Sequence, residues 1–173
     1  MISVVFPGQG SQKIGMGSDF FNKFEYVKQI FNYADEILNY KISDLILNGP
    51  QEKLNQTTFT QPAIYLIGYA ISEVLRKETN FFKNNFNYFA GHSLGEYTAL
   101  TAANAITLEQ GLTLLKNRGA AMQSAMPLGE GGMLAVLGIE TNDMKKIIEE
   151  NFNNIKCYLA NDNSNGQLII SGK

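Results

Sequence analysis

Residues Gly91-His92-Ser93-Leu94-Gly95 fit the pattern G-x-S-x-G. That spacing marks a serine nucleophile displayed on a strand-to-helix turn. A serine hydroxyl attacks a carbonyl only with help, from a base that takes its proton and from donors that hold the oxyanion. Gly91 and Gly95 leave out side chains where strand and helix converge, and they let a substrate approach. The hydroxyl then stands near a helix N-terminus, whose free N–H groups and partial positive charge favour an anionic oxygen. Leu94, next after the serine, offers one backbone N–H to an oxyanion hole. The base is the difficulty. The chain has one histidine, and it is His92 itself. Neighbouring side chains diverge on a tight turn, so His92 is expected to pack beside the site rather than to deprotonate Ser93.

The segments around the serine supply what must position it. Phe86–Ala90 ("FNYFA") is a short apolar run that reads as a strand, and residues 94–103 continue as a helix. "ISVVF" (Ile2–Phe6) is a second apolar, β-branched strand, ended by Pro7-Gly8. Apolar residues then recur at three and four from Asp19 to Leu38, which predicts one amphipathic helix. Short helical pieces follow. Pro62 is expected to open a central helix whose apolar stretch is nearly continuous from Ala63 to Ile71. Thr107 is a natural N-cap for the helix after it, which two glycines interrupt.

Beyond Pro127 the texture changes to strand, helix, strand, strand, with "NSNGQ" as hairpin chemistry between the last two. The fold class is therefore α/β: a hydrolase-like parallel-sheet subdomain with a nucleophile elbow over residues 1–126, then residues 127–173 as the start of a ferredoxin-like small subdomain. The second motif is one helix and one strand short of complete.

Bulk composition narrows the function classes. The 173 residues are 45% hydrophobic and 17% charged, enough apolar content for a folded core. A net charge of -2 gives no footprint for nucleic acid. There is no apolar run of roughly 18 residues for a membrane span, and "MISVVFPGQG" lacks the basic start of a secretory signal. The single Cys157 excludes an internal disulfide and reads as a buried, inert thiol, so a cytoplasmic protein is expected. One His and one Cys make no metal set.

Five stretches occur in order along the chain: "FPGQGSQ", "FTQPA" (59–63), "GHSLGEYTAL", "NRGAAMQ" (117–123) and "ANDNSNGQLIISG". Together they resemble the malonyl-CoA:acyl carrier protein transacylases of fatty acid biosynthesis and the acyltransferase domains of polyketide synthases, over the whole length from Met1 to Lys173. The resemblance implies an S-malonyltransferase in which Ser93 carries the malonyl group as an ester. It implies Gln9 as the second oxyanion-hole residue, facing Leu94. It implies Arg118 as the group that holds the free malonyl carboxylate, with Gln61 and His92 beside the substrate. Glu96 and Asn161 match positions near the site without a chemical step. The implied partners are malonyl-CoA and an acyl carrier protein, whose phosphopantetheine thiol takes the acyl group; no cofactor, metal, nucleic acid or membrane is implied.

The resemblance also implies a histidine base beyond Lys173, so the chain reads as the N-terminal portion of a transacylase, with weak or absent transfer of its own. Two rival readings stand beside it. One is a serine hydrolase or thioesterase of the α/β-hydrolase type, which needs an acid and then a histidine after the serine. The other is a non-catalytic acyltransferase fragment whose unfinished second subdomain exposes sheet edge and apolar surface. "GQGSQKIGMG" is not a dinucleotide loop, because the third glycine of that fingerprint is out of place.

Overall fold

A computed structural model of the protein describes residues 2–80, 86–126, 129–151, 153, 154 and 156–172. The chain divides into two compact units, Met1–Gln123 and Ser124–Lys173. Pro127 and Leu128, where the sequence reading places a boundary, lie outside the described residues.

In the first unit, strand β1 (Ile2–Phe6) runs parallel to β2 (Phe86–Gly91), with Val4 opposite Phe89 and Phe6 opposite Gly91. A parallel pair needs a long crossover, and here helices supply it. They are α1 (Ser18–Lys23), α2 (Glu25–Leu38), α3 (Ile42–Asn48), α4 (Gln51–Leu54) and α5 (Thr57–Glu78). After β2 come α6 (Gly95–Ala102) and α7 (Leu108–Ala125). Phe6 packs with Ala99 and Ala102 of α6, flanked by Val4 and Phe89. The larger core lies among α2, α3 and α5, around Phe31, Leu38, Ile46 and Tyr65.

Four expectations are corrected, the last of them at α7. The single helix expected over residues 19–38 is two, because Phe24 is extended (φ -119°, ψ 116°) between α1 and α2. Phe24 still packs on the core, so the apolar spacing runs through a break that hydrophobicity cannot register. Helix α5 begins at Thr57, and Pro62 lies inside it rather than opening it. All seven residues from Thr60 to Leu66 are buried, so tertiary packing outweighs the proline's local preference. Cys157 is half-buried, not buried, because its strand lies at a sheet edge.

The two glycines leave α7 unbroken: both are buried. Thr107 caps it as its spacing foretells, its Oγ1 accepting from Gln110 N–H at 3.2 Å while Gln110 Oε1 accepts from Thr107 N–H at 2.9 Å. Helix α3 is capped from a distance instead: the buried Asp35 of α2 accepts from Ser43 N–H at 2.9 Å and Ser43 Oγ at 2.6 Å.

The second unit follows the strand–helix–strand–strand pattern: β3 (Gly132–Leu137), α8 (Thr141–Asn151), β4 (Cys157–Ser164) and β5 (Gln167–Gly172). Its sheet is antiparallel in the order β3-β5-β4. Asn165-Gly166 forms the turn between β4 and β5, with Gly166 at φ 77°. Met133, Leu134 and Leu137 of β3 are exposed.

Candidate active site

The turn between β2 and α6 has the geometry that its glycines allow. Ser93 sits at φ 54°, in the left-handed region that side-chain-bearing residues rarely adopt. A Cβ on Gly91 would collide with the Gly95 carbonyl, and one on Gly95 would collide with the Phe6 carbonyl at the end of β1. His92 N–H donates to that same Phe6 carbonyl at 3.1 Å. Strand β1, the elbow and α6 are thus locked within a backbone's thickness of one another, and Ser93 is left exposed at the tip.

His92 leaves the turn on the side of the β1 loop. A Cβ on Gly8 would lie 2.7 Å from His92 Nδ1, so the ring stands over that loop at Gly8. Leu94 begins α6 with helical φ/ψ (-60°, -24°) and a fully buried side chain. Gln9 is exposed, and its Nε2 donates to Thr57 Oγ1 at the start of α5, at 3.3 Å. The backbone N–H groups of Gln9 and Leu94 have no hydrogen-bond acceptor among the described residues.

Arg118 reaches the site because α7 crosses the start of α5 closely. Gly119 makes the crossing possible: a Cβ there would lie 2.9 Å from Thr58 Cα. Residues three and four apart share a helix face, so Gln61 projects beside Thr57 and Thr58. Arg118, adjacent to Gly119, therefore meets it. Arg118 Nη1 donates to Gln61 Oε1 at 2.7 Å, and Nη2 donates to Ser93 Oγ at 3.1 Å. Gln61 is 1% exposed, and its Nε2 donates to Met122 Sδ at 3.1 Å.

The electrostatics of this cluster are one-sided. Arg118 is half-buried, and among the described residues no carboxylate lies within ion-pairing distance of it. Its acceptors are a neutral amide and a neutral hydroxyl. A guanidinium held this way keeps its charge available to an incoming anion. Among the described residues no group of His, Cys, Asp and Glu side chains is arranged to hold a metal ion.

The structure thus brings Ser93, Arg118 and Gln61 into contact, with His92 and Gln9 on the adjoining loop side. Glu96 is exposed in the first turn of α6, and Asn161 is exposed on β4 of the second unit. Met122 was not singled out from the sequence. Its position four residues after Arg118 on one helix face is the signal that could have found it.

Residues 4–173 match the acyl transferase domain family. The chain belongs to this family. A polyketide biosynthesis malonyl CoA-acyl carrier protein transacylase of Bacillus subtilis, PksC, is 44% identical over 173 residues, covering 100% of this chain and 57% of that protein. A malonyl CoA-acyl carrier protein transacylase of the same organism is 40% identical, covering 99% and 53%. Among solved structures, an acyl-carrier-protein-S-malonyltransferase from Bartonella henselae superposes with a TM-score of 0.92 at 40% identity, covering 99% of this chain and 55% of that one. A type II polyketide synthase acyl carrier protein in complex with its malonyl-transacylase gives a TM-score of 0.87 at 38% identity, covering 98% and 54%. This acyltransferase chain spans about half the length of the curated relatives it matches. No helix among its described residues is long and apolar enough to cross a membrane.

Proposed function

We propose that the chain carries the acyl-accepting half of a malonyl-CoA:acyl carrier protein transacylase site. In this reading Ser93 Oγ attacks the malonyl thioester carbonyl, a C–O bond forms, and the C–S bond breaks to release coenzyme A with the serine's proton. The phosphopantetheine thiol of an acyl carrier protein then attacks the ester and restores the hydroxyl. The Gln9 and Leu94 N–H groups hold the oxyanion in both steps. Transfer of this kind serves fatty acid or polyketide synthesis, in the cytoplasm.

One observation carries the reading: Arg118, unpaired by any described carboxylate, donates to Ser93 Oγ at 3.1 Å. A malonyl unit has one methylene between its ester carbonyl and its carboxylate. A cation so close to the nucleophile suits that short span, and a neutral acyl group gains nothing from it. His92 is not given the base's part, because its ring lies over Gly8.

The test is long incubation with malonyl-CoA, followed by intact-mass measurement and peptide mapping. Loss of one catalytic partner still leaves roughly a thousandfold acceleration over water, so a slow adduct accumulates. A malonyl ester on Ser93 that is lost in Ser93→Ala is expected. No adduct, or the same adduct in Ser93→Ala, overturns the proposal. Release of free malonate without transfer to a carrier thiol assigns the site to a hydrolase instead.

A further inference from the structure

We infer that Met122 is a positioning residue for acyl selection: its thioether fixes the polarity of the Gln61 amide, and that amide presents Arg118 to the acyl carboxylate without neutralising it. The inference rests on the malonyl reading of the site, and it assigns Gln61 to the support of Arg118 rather than to contact with substrate.

The argument is one of donors and acceptors. Gln61 is 1% exposed and bridges two groups of opposite hydrogen-bonding character. Arg118 can only donate, and Met122 Sδ can only accept. The bridge between them must therefore accept at one end and donate at the other, as an amide does. Turned over, the amide would set its NH2 against the guanidinium and its oxygen against the sulfur, losing both contacts. With the sulfur in place, Oε1 is the face presented to Arg118.

Neutrality is the second half of the argument. A carboxylate at position 61 would hold Arg118 as firmly, but as an ion pair whose charge is already spent, and it would set an oxygen against the sulfur. An incoming carboxylate would then have to displace a buried counter-ion. A neutral acceptor orients the fork and leaves its charge for the substrate. Arg118 Nη2 meets a neutral acceptor as well, the Ser93 hydroxyl, so the whole cationic group is held by uncharged partners.

The experiment measures the ratio of malonyl to acetyl adduct on Ser93, or of the two coenzyme A thioesters' affinities, in Gln61→Glu, Met122→Leu and Arg118→Ala. A residue that only supports the fold would lower both members of each ratio together. Gln61→Glu is expected to lower the malonyl preference about tenfold or more, and Met122→Leu about fivefold, by leaving a buried donor unpaired. Circular dichroism checks folding, and if Gln61→Glu does not fold, Met122→Leu decides alone. If Arg118→Ala loses the preference while both other variants keep it within about twofold, the inference fails and the malonyl reading stands. If Arg118→Ala keeps the preference, the malonyl reading fails and takes the inference with it.

Discussion

The Tyr65 hydroxyl stands where a side chain on Gly111 would begin. Tyr65 is fully buried on α5, and its hydroxyl is shared with Thr101 Oγ1 of α6 at 2.8 Å and donates to the Leu108 carbonyl of α7 at 3.3 Å. One phenol thus ties three helices together, and it reaches α7 only because residue 111 has no Cβ.

Gly111→Ala is therefore expected to destabilise the chain, although alanine favours a helix. The added methyl would overlap the tyrosine ring, and overpacking of this kind costs about 1–3 kcal/mol, more than the propensity gain of up to ~1 kcal/mol. Thermal denaturation should show a melting temperature lower by a few degrees, and an unchanged or raised value would contradict the packing.

The elbow predicts a contrast between two glycines. A Cβ on Gly95 would strike the Phe6 and Pro7 carbonyls, which are backbone and cannot turn aside. One on Gly8 would meet the His92 ring at 2.7 Å, a side chain rather than backbone, and the nearest backbone atom, the His92 carbonyl oxygen, only at 3.0 Å. Gly95→Ala should cost about 3 kcal/mol or more and abolish acylation of Ser93, whereas Gly8→Ala should cost less. Denaturant titration of both variants ranks them, and equal losses would refute the backbone argument.

Arg118→Ala removes the charge that the carboxylate would meet. Two charge-assisted hydrogen bonds, each about 1.5–3 kcal/mol, put the expected loss in malonyl-CoA use at a hundredfold or more. Acetyl-CoA use should fall much less. Parallel single-turnover measurements with both thioesters decide this, and equal losses would defeat the assignment.

Alkaline pH should expose the buried phenols. Burial pushes Tyr40 and Tyr65 up to about 12, against about 10 in the unfolded chain. The folded state then holds its protons where the unfolded state gives them up. The stability from these groups is complete below pH ~10 and is lost as pH rises through ~12. Among the described residues the Tyr40 hydroxyl is buried without a hydrogen-bond partner. Tyr40→Phe should therefore raise stability by about 1 kcal/mol, since an unpaired buried hydroxyl is a cost. Phenolate absorbance during a pH titration, beside melting curves of the variant, tests both statements.

Much of the site was legible because its parts are local. A strand, two glycines around a serine and a following helix are all within reach of ten residues, so the elbow could be read without knowing the fold. The same holds for the Asn165-Gly166 hairpin and the Thr107 cap, whose partners lie within three residues. Phe24 and Pro62 were misread for the opposite reason. A one-residue break keeps the apolar spacing intact, and a proline inside α5 is tolerated because the residues around it are buried against other helices.

What the sequence by itself determined was the inventory: a displayed serine, an arginine and a glutamine in recognisable motifs, and the elements to carry them. Only the tertiary structure decided that Ser93, Gln61 and Arg118 meet, and that Met122 joins them. These residues stand 25 to 61 positions apart in their contacts. Their meeting depends on how closely α7 can cross α5 at Gly119, a distance set by missing side-chain volume at a helix crossing, which neither periodicity nor composition encodes.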